Sequence, residues 1–206
     1  MNKTKIDYVD FTWNPVWGCL NTCPYCYARA TAHRWGKSFE PHWMERNFLS
    51  PMPKKPSRIF VNSMSEIAYW RSEWWDLVLG RIRESIEHQF LFLTKFPEVY
   101  FDRELPQNCW IGVTVTGPAD FDQYQDALSY LPSRCFLSYE PMLERVTPGL
   151  VEAWIDWVIL GAETGNRPGR VIPPSEWIAP WLDLKIPVYM KHNLPWNGPW
   201  RKEFPA

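Results

Sequence analysis

Six short, nearly unbroken apolar runs limit the fold of this chain more than any other feature. They are Arg58-Ile59-Phe60-Val61-Asn62, Phe90-Leu91-Phe92-Leu93-Thr94, Trp110-Ile111-Gly112-Val113-Thr114-Val115, Cys135-Phe136-Leu137-Ser138-Tyr139, Trp157-Val158-Ile159-Leu160 and Pro187-Val188-Tyr189-Met190. Continuous rather than alternating apolar runs suit strands covered on both faces, as in a parallel sheet. Helical patterns fall between them. Ser72 is expected to cap a helix with Trp74, Val78, Ile82 and Ile86 on one face. Pro97 suits the first turn of a helix running towards Leu105. Asp120 is expected to cap a helix carrying Phe121, Tyr124, Leu128 and Leu131. A short helix is expected from Pro148 to Trp154, and Ser175 caps another that turns Trp177, Ile178, Trp181 and Leu182 inward. Phe11 to Trp17 reads as one further strand. Tyr25 to Trp35 reads as a helix closed by Gly36, and residues 37–57 as a proline-punctuated loop with a short helical turn.

Repeated strand–helix–strand units with right-handed crossovers wind into a barrel or part of one. The expected class is α/β: an open partial (β/α)6-type barrel of parallel strands with about one extra strand, in a single domain over residues 1–206. Mean hydropathy is −0.36 and no apolar run reaches the length of a membrane span. Met1 to Asp10 is polar and does not look like a targeting peptide. Net charge is −1, from 22 basic and 23 acidic residues, which makes no global electrostatic case for nucleic acid. Basic clusters exist locally, at Lys54, Lys55 and Arg58; Arg81 and Arg83; Arg167 and Arg170; and Arg201 and Lys202.

Cys19, Cys23 and Cys26 form a C-x3-C-x2-C array with Tyr25 directly before the third cysteine. Thiolates so closely spaced can grip a metal centre, and three is one fewer than a closed structural site needs. A [4Fe–4S] cluster on three cysteines keeps one iron for another ligand. Alternatives remain on the residues alone. His33 would complete a zinc site, and Cys109 or Cys135 would complete an electron-transfer cluster. A disulfide framework fits poorly with 5 cysteines, an odd number. The cysteine usage suits a reducing cytoplasm.

In a βα fold the chemistry collects at the carboxyl ends of the strands. Those ends are polar here: Asn62-Ser63-Met64-Ser65-Glu66, Thr94-Lys95, Thr114 and Thr116, Ser138-Tyr139-Glu140-Pro141, Gly161-Ala162-Glu163-Thr164-Gly165 and Lys191-His192-Asn193. Glu140 and Glu163 either serve the chemistry or are structural, each paired with a nearby Arg or Lys. Lys95 and Lys191 either bind a substrate anion or neutralise those glutamates. His33, His42 and His88 are expected on the surface.

The cysteine array with its aromatic resembles the signature of radical S-adenosylmethionine (SAM) enzymes. In that superfamily the open iron chelates SAM, and one electron releases a 5′-deoxyadenosyl radical that abstracts a hydrogen. With the strand-end segments, the match resembles a family of short phage- and prophage-encoded radical-SAM-like proteins, long known only as a domain of unknown function, over about Trp13 to Lys191. The resemblance implies Cys19, Cys23 and Cys26 on a [4Fe–4S] cluster and Tyr25 beside the adenine of SAM. Where the superfamily carries Gly-Gly-Glu, this chain has Asn62-Ser63-Met64-Ser65, so Ser63 and Ser65 would hold the SAM amino group. Thr114, Ser138, Glu140, Gly161 and Glu163 are the other implied cofactor contacts. Lys95, Glu140, Lys191 and His192 are the candidates for the chemistry on substrate.

The resemblance further implies an isomerase, rather than a lyase or transferase, rearranging an amino-acid-derived substituent on a hypermodified thymidine in phage DNA. Its partners would be that DNA and a flavodoxin-type reductant, without a membrane, in the cytoplasm of an infected bacterial host. The base would be flipped out to reach the site. Two other classes remain: a radical SAM enzyme for a small molecule or peptide, and a non-catalytic zinc or iron–sulfur module.

Overall fold

The computed structural model describes residues 1–128, 130–131 and 134–205. Their elements in order are β1 (Asn2–Lys3), β2 (Phe11–Thr12), β3 (Val16–Trp17), α1 (Tyr27–Arg34), β4 (His42–Trp43), α2 (Glu45–Phe48), β5 (Arg58–Phe60), α3 (Ser72–Arg83), β6 (Gln89–Thr94), β7 (Cys109–Val115), α4 (Pro118–Leu128), β8 (Cys135–Tyr139), β9 (Trp157–Leu160), α5 (Ser175–Leu182) and β10 (Val188–Met190). Single 3-10 turns occupy Ile67–Tyr69, Pro97–Tyr100 and Val151–Ala153. The class is α/β, with a mostly parallel eight-stranded sheet in the order β1-β2-β5-β6-β7-β8-β9-β10. The chain forms two compact units, residues 1–94 with 102–110, and residues 95–101 with 111–206.

In the first unit β1 runs antiparallel to β2, while β2, β5 and β6 are mutually parallel. The ladder continues past the named strands through Trp13 N–H to Phe60 O (2.8 Å) and Val61 N–H to Leu91 O (2.9 Å). Helix α3 buries Trp74, Trp75, Val78, Leu79 and Ile82. Trp75 stacks on Phe92 at 5.5 Å between centroids, and the Arg103 guanidinium lies over the indole of Trp75 at 4.5 Å. The side-chain amide of Asn108 donates to the carbonyls of Ile82, Ser85 and His88, which satisfies the end of α3.

In the second unit β7 to β10 are parallel neighbours in sequence order. Helical aromatics cover one face: Trp181 of α5 packs on Tyr139 at 5.3 Å and on Phe121 of α4 at 6.2 Å. Phe136 packs on Trp157 at 5.6 Å, and Phe204 covers Trp157 and Tyr189 at 5.8 and 5.0 Å. Side chains alternate along a strand, so Phe136, Ser138 and Glu140 share the face opposite Tyr139 and the helices. Arg201 fastens the terminal segment by donating to the carbonyls of Leu182, Leu184 and Ile186.

Local expectations needed correction. Ser72 and Ser175 are the first residues inside their helices, with Arg71 and Pro174 in the capping positions. Asp120 also lies inside its helix, where its carboxylate takes the N–H and hydroxyl of Thr116. Ile86 is 78% exposed because α3 stops at Arg83. Of the expected α4 stripe, Phe121 and Tyr124 are buried, and the Leu128 side chain lies outside the described residues. The helices expected after Pro97 and Pro148 are single 3-10 turns. The strand expected over Phe11 to Trp17 is two. Asn14-Pro15 interrupts it, proline having no ladder donor, and β3 pairs antiparallel with β4 instead. The eighth strand, β1, is two exposed polar residues with no apolar signal. His88 is 1% exposed, not a surface residue, and its ring meets Phe90 edge-on.

Candidate functional site

The cysteine loop is shaped by backbone contacts. Gly18 has φ +103°, and a Cβ there would stand 2.3 Å from the carbonyl oxygen of Glu40, so only glycine fits. Its N–H donates to Met64 O (2.9 Å) and the next, of Cys19, to Phe39 O (2.8 Å). The helix expected from Tyr25 begins at Tyr27, because Cys26 is its N-cap and its sulfur accepts the Arg29 N–H at 3.3 Å. The Cys19 sulfur accepts the Asn21 N–H at 3.3 Å. Arg29 reaches back from α1 to donate to the carbonyls of Cys19 (2.7 Å) and Asn21 (2.6 Å), its guanidinium over the Phe39 ring. All three cysteines are half-buried and free.

Further polar groups brace this loop. The Tyr69 hydroxyl donates to the Asn21 side-chain oxygen at 2.6 Å, and the Tyr27 hydroxyl to Ser63 O at 2.6 Å. The Ser63 hydroxyl is tied to the Asn14 amide, and the Ser65 hydroxyl accepts the Trp70 indole N–H at 3.1 Å. Glu66 is 6% exposed and accepts from the Ala68 N–H and the Thr94 hydroxyl. Burial pushes the Cys19 thiol up to about 11, with Glu66, Cys26 and Cys23 adding to the rise and the Asn21 N–H opposing it. Burial also raises the Tyr69 phenol, with Cys19, Glu66 and Cys23 contributing. Glu66, Tyr69, Asn21 and Arg29 were not singled out from the sequence. Only the polar strand end containing Glu66 hinted at any of them.

The donor set fits a cluster rather than a closed zinc site. Three thiols with backbone N–H groups aimed at two of the sulfurs match the hydrogen bonding that tunes iron–sulfur centres. The metal takes thiolates, so binding must displace the proton that burial holds on Cys19. His33 is exposed in the last turn of α1. Seven residues of helix past Cys26 set it roughly 10 Å along the axis, too far to share one ion with Cys26. Among the described residues no group of three His, Cys, Asp or Glu, the three cysteines included, is gathered to hold a metal ion, so the fit to a cluster rests on residue type, spacing and the N–H groups on sulfur. Cys109 and Cys135 open β7 and β8, and burial pushes both thiols to about 12.

The second unit gathers charge at its strand ends. Glu140, just past β8, pairs with Lys191, just past β10, with side chains 19% and 11% exposed. The pair crosses Gly161, where a Cβ would come within 2.9 Å of the Glu140 carboxyl carbon. Glu163, 3% exposed, holds Arg167 through two bonds of 2.7 and 3.0 Å. Those bonds, chiefly, hold its carboxyl below the usual range, helped by the Val171 N–H and opposed by burial. Asn193 clamps Ala162 by donating to its carbonyl at 2.7 Å and accepting its N–H at 3.3 Å. Thr114 stands opposite Ser138 in the ladder. The Ser138 hydroxyl is fully buried and has no hydrogen-bond partner among the described residues. Such a group costs about 1–3 kcal/mol unless something satisfies it. Lys95 is half-buried, its carbonyl accepting the Tyr124 hydroxyl, and His192 is exposed.

Solved structures of spore photoproduct lyase share this fold. One, with bound AdoMet and dinucleoside spore photoproduct, matches with a TM-score of 0.59 at 13% identity, over 90% of this chain and 64% of that one. A second, complexed with dinucleoside spore photoproduct, gives 0.56 at 12% identity over the same shares. A third, a cysteine-to-serine mutant of the lyase, gives 0.53 at 13% identity over 68% and 48%. The chain thus spans less than two thirds of the length of these lyases. It shares the mixed α/β fold of spore photoproduct lyase. No curated protein matches the chain in sequence. The chain belongs to the family described as protein of unknown function DUF5131, whose model matches residues 3–182.

Proposed function

We propose that the chain is a radical SAM enzyme. The carrying observation is the loop of three half-buried cysteines, two with N–H groups on sulfur, on a fold shared with an AdoMet-bound lyase. A [4Fe–4S] cluster held by Cys19, Cys23 and Cys26, with SAM on its open iron, would supply the electron that cleaves the sulfonium. The chain's own residues orient and shield. Arg29 and Tyr69 hold the loop, and Tyr25 lies along the adenine. Ser63 and Ser65, already bonded to Asn14 and Trp70, offer their remaining lone pairs to the SAM ammonium. Thr114, Ser138, Gly161 and Glu163 are the further cofactor contacts, the unsatisfied Ser138 hydroxyl the best supported of them. Glu140 and Lys191, with Lys95 and His192, face the substrate.

The substrate we infer is a substituted thymidine in DNA, rearranged by an isomerase. A solved protein of this fold, complexed with a dinucleoside photoproduct, supports a nucleic-acid substrate. Anaerobic reconstitution tests the enzyme reading. The expected result is a brown protein with about four irons and four sulfides per chain that converts SAM to 5′-deoxyadenosine under dithionite. A colourless, zinc-loaded protein overturns it. Oligonucleotide binding tests the substrate: affinity should fall steeply with salt, and a flat log–log plot rules out phosphate contacts and favours a small molecule or peptide.

A further inference from the structure

A cluster gripped by three thiolates is an anion, and reduction makes it more so. The fold around it has to answer that charge. We propose that Arg29 is the internal counter-ion of the centre: its buried Nε–H donates to the cluster held by Cys19, Cys23 and Cys26, and its charge makes that cluster easier to reduce. The inference deepens the iron–sulfur reading above and rests on it.

Three observations support it. The first is an unanswered donor. Arg29 donates from Nη2 to the carbonyls of Cys19 and Asn21, at 2.7 and 2.6 Å. Its Nε is buried too, yet it has no hydrogen-bond partner among the described residues. Buried N–H groups are nearly always satisfied, so an orphan beside a metal loop calls for an acceptor that arrives with the metal.

The second is an unanswered charge. Arg29 is half-buried, and among the described residues no carboxylate bonds to it. From Phe11 to Phe39 the chain has no Asp or Glu. Glu66, the buried carboxylate that acts on the Cys19 thiol, is bonded instead by Ala68 and Thr94. Arg34 and Lys37, the other full cations of that stretch, are exposed, where salt screens them. A cation taken partly out of water without a counter-ion is costly, and arginine holds its charge and its donors in a fixed fork.

The third is position. The backbone N–H of Arg29 meets the Cys26 sulfur at 3.3 Å while its side chain reaches the Cys19 carbonyl, so one residue spans the first and third cysteines. Its guanidinium lies 5.0 Å from the centroid of the Phe39 ring, and the Trp17 ring meets the same phenyl edge-on at 6.5 Å. Trp17 packs with Cys19 and Cys26 against the core of Ala28, Ala32 and Phe39. Its indole N–H is also buried and also without a partner among the described residues. An acceptor-rich anion bound at the cysteines answers both orphaned donors. Hydrogen bonds to sulfur and nearby positive charge favour the reduced form of such a cluster.

The test is a redox titration, followed by electron paramagnetic resonance, of the anaerobically reconstituted protein without SAM. Arg29→Gln removes the charge. At a given potential its ratio of reduced to oxidised cluster should fall about tenfold, a shift of about 59 mV for one electron. Arg29→Lys keeps the charge without the Nε–H and should fall between that variant and wild type. Equal potentials in wild type and Arg29→Gln overturn the proposal. An unchanged potential with weakened SAM binding assigns the guanidinium to the SAM carboxylate and overturns it as well. If Arg29→Gln holds no iron, Arg29→Lys decides. A potential below wild type supports the proposal, whereas an unchanged potential or lost iron makes Arg29 a brace of the loop and no more. The titration needs no SAM cleavage. A potential that depends on Arg29 in a protein that cleaves no SAM with dithionite refutes the radical SAM reading and leaves this inference standing. Unchanged potentials in an active enzyme refute the inference alone.

Discussion

The cysteine loop and the ends of β8 to β10 hold their polar groups in different ways. In the loop, backbone does the holding. Gly18 folds under the Glu40 carbonyl, N–H groups meet two sulfurs, and Arg29 ties the loop to its own helix. At the strand ends, side chains meet because parallel register delivers them, and Glu140 finds Lys191 from 51 residues away. The loop's three thiols are half-buried and free, while Glu140 and Glu163 have cationic partners. A centre built on a local loop should therefore lose its function without its fold. A centre built on register should lose both together.

Replacing Cys19, Cys23 or Cys26 by Ala is the largest test. Each variant should lose its iron and all SAM cleavage with little change in the unfolding midpoint of the metal-free chain. Cys109→Ala and Cys135→Ala should keep the iron. Iron analysis beside circular dichroism reads both, and iron lost from either control would break the three-ligand case.

The strand-end arm comes next. Lys191→Ala strands the Glu140 carboxylate and should cost about 3 kcal/mol, the lower end for breaking a buried pair, given the partial exposure. Lys191→Met with Glu140→Met should recover most of it in urea unfolding. If the double variant is no better than the single, the pair is not what register protects. Gly161→Ala forces the Glu140 carboxyl aside and should cost about 1–3 kcal/mol.

A smaller effect follows pH. The lowered carboxyl of Glu163 contributes stability that is present above the unfolded-state value and is lost as pH falls through the folded-state one. Wild type should thus exceed Glu163→Gln in thermal stability at neutral pH, and the gap should close under acid. A gap independent of pH would remove the Arg167 bond as its source. Smallest is Gly80→Ala, in an α3 position with nothing within 4 Å of a new Cβ. It should stabilise by about 0.5–1 kcal/mol and leave both centres unchanged.

Most of the scaffold was legible because burial on both faces of a parallel strand leaves an unbroken apolar run. Each of the six runs coincides with a strand, from β5 to β10. Caps were not legible. Ser72, Asp120 and Ser175 are all good capping residues, and each sits one or more positions inside its helix, because the chain's entry into the helix chose the boundary. His88 was misplaced for a similar reason: nothing in its neighbours signals that its ring packs edge-on against Phe90 or that Asn108 takes its carbonyl. The three cysteines stand out in the sequence because they fall within eight residues of one another. Glu66 and Tyr69 do not, since nothing local links them to Cys19.

The sequence alone determined the α/β class, the positions of β5 to β10 and the cysteine array. Each rests on spacing along the chain, and spacing survives in a string of letters. Only tertiary structure decided that Glu140 would reach Lys191 across Gly161, and that the Ser138 hydroxyl would be buried without a partner among the described residues. Those outcomes depend on which strands become neighbours and at what offset. Loop closure and packing settle that offset for the whole chain at once.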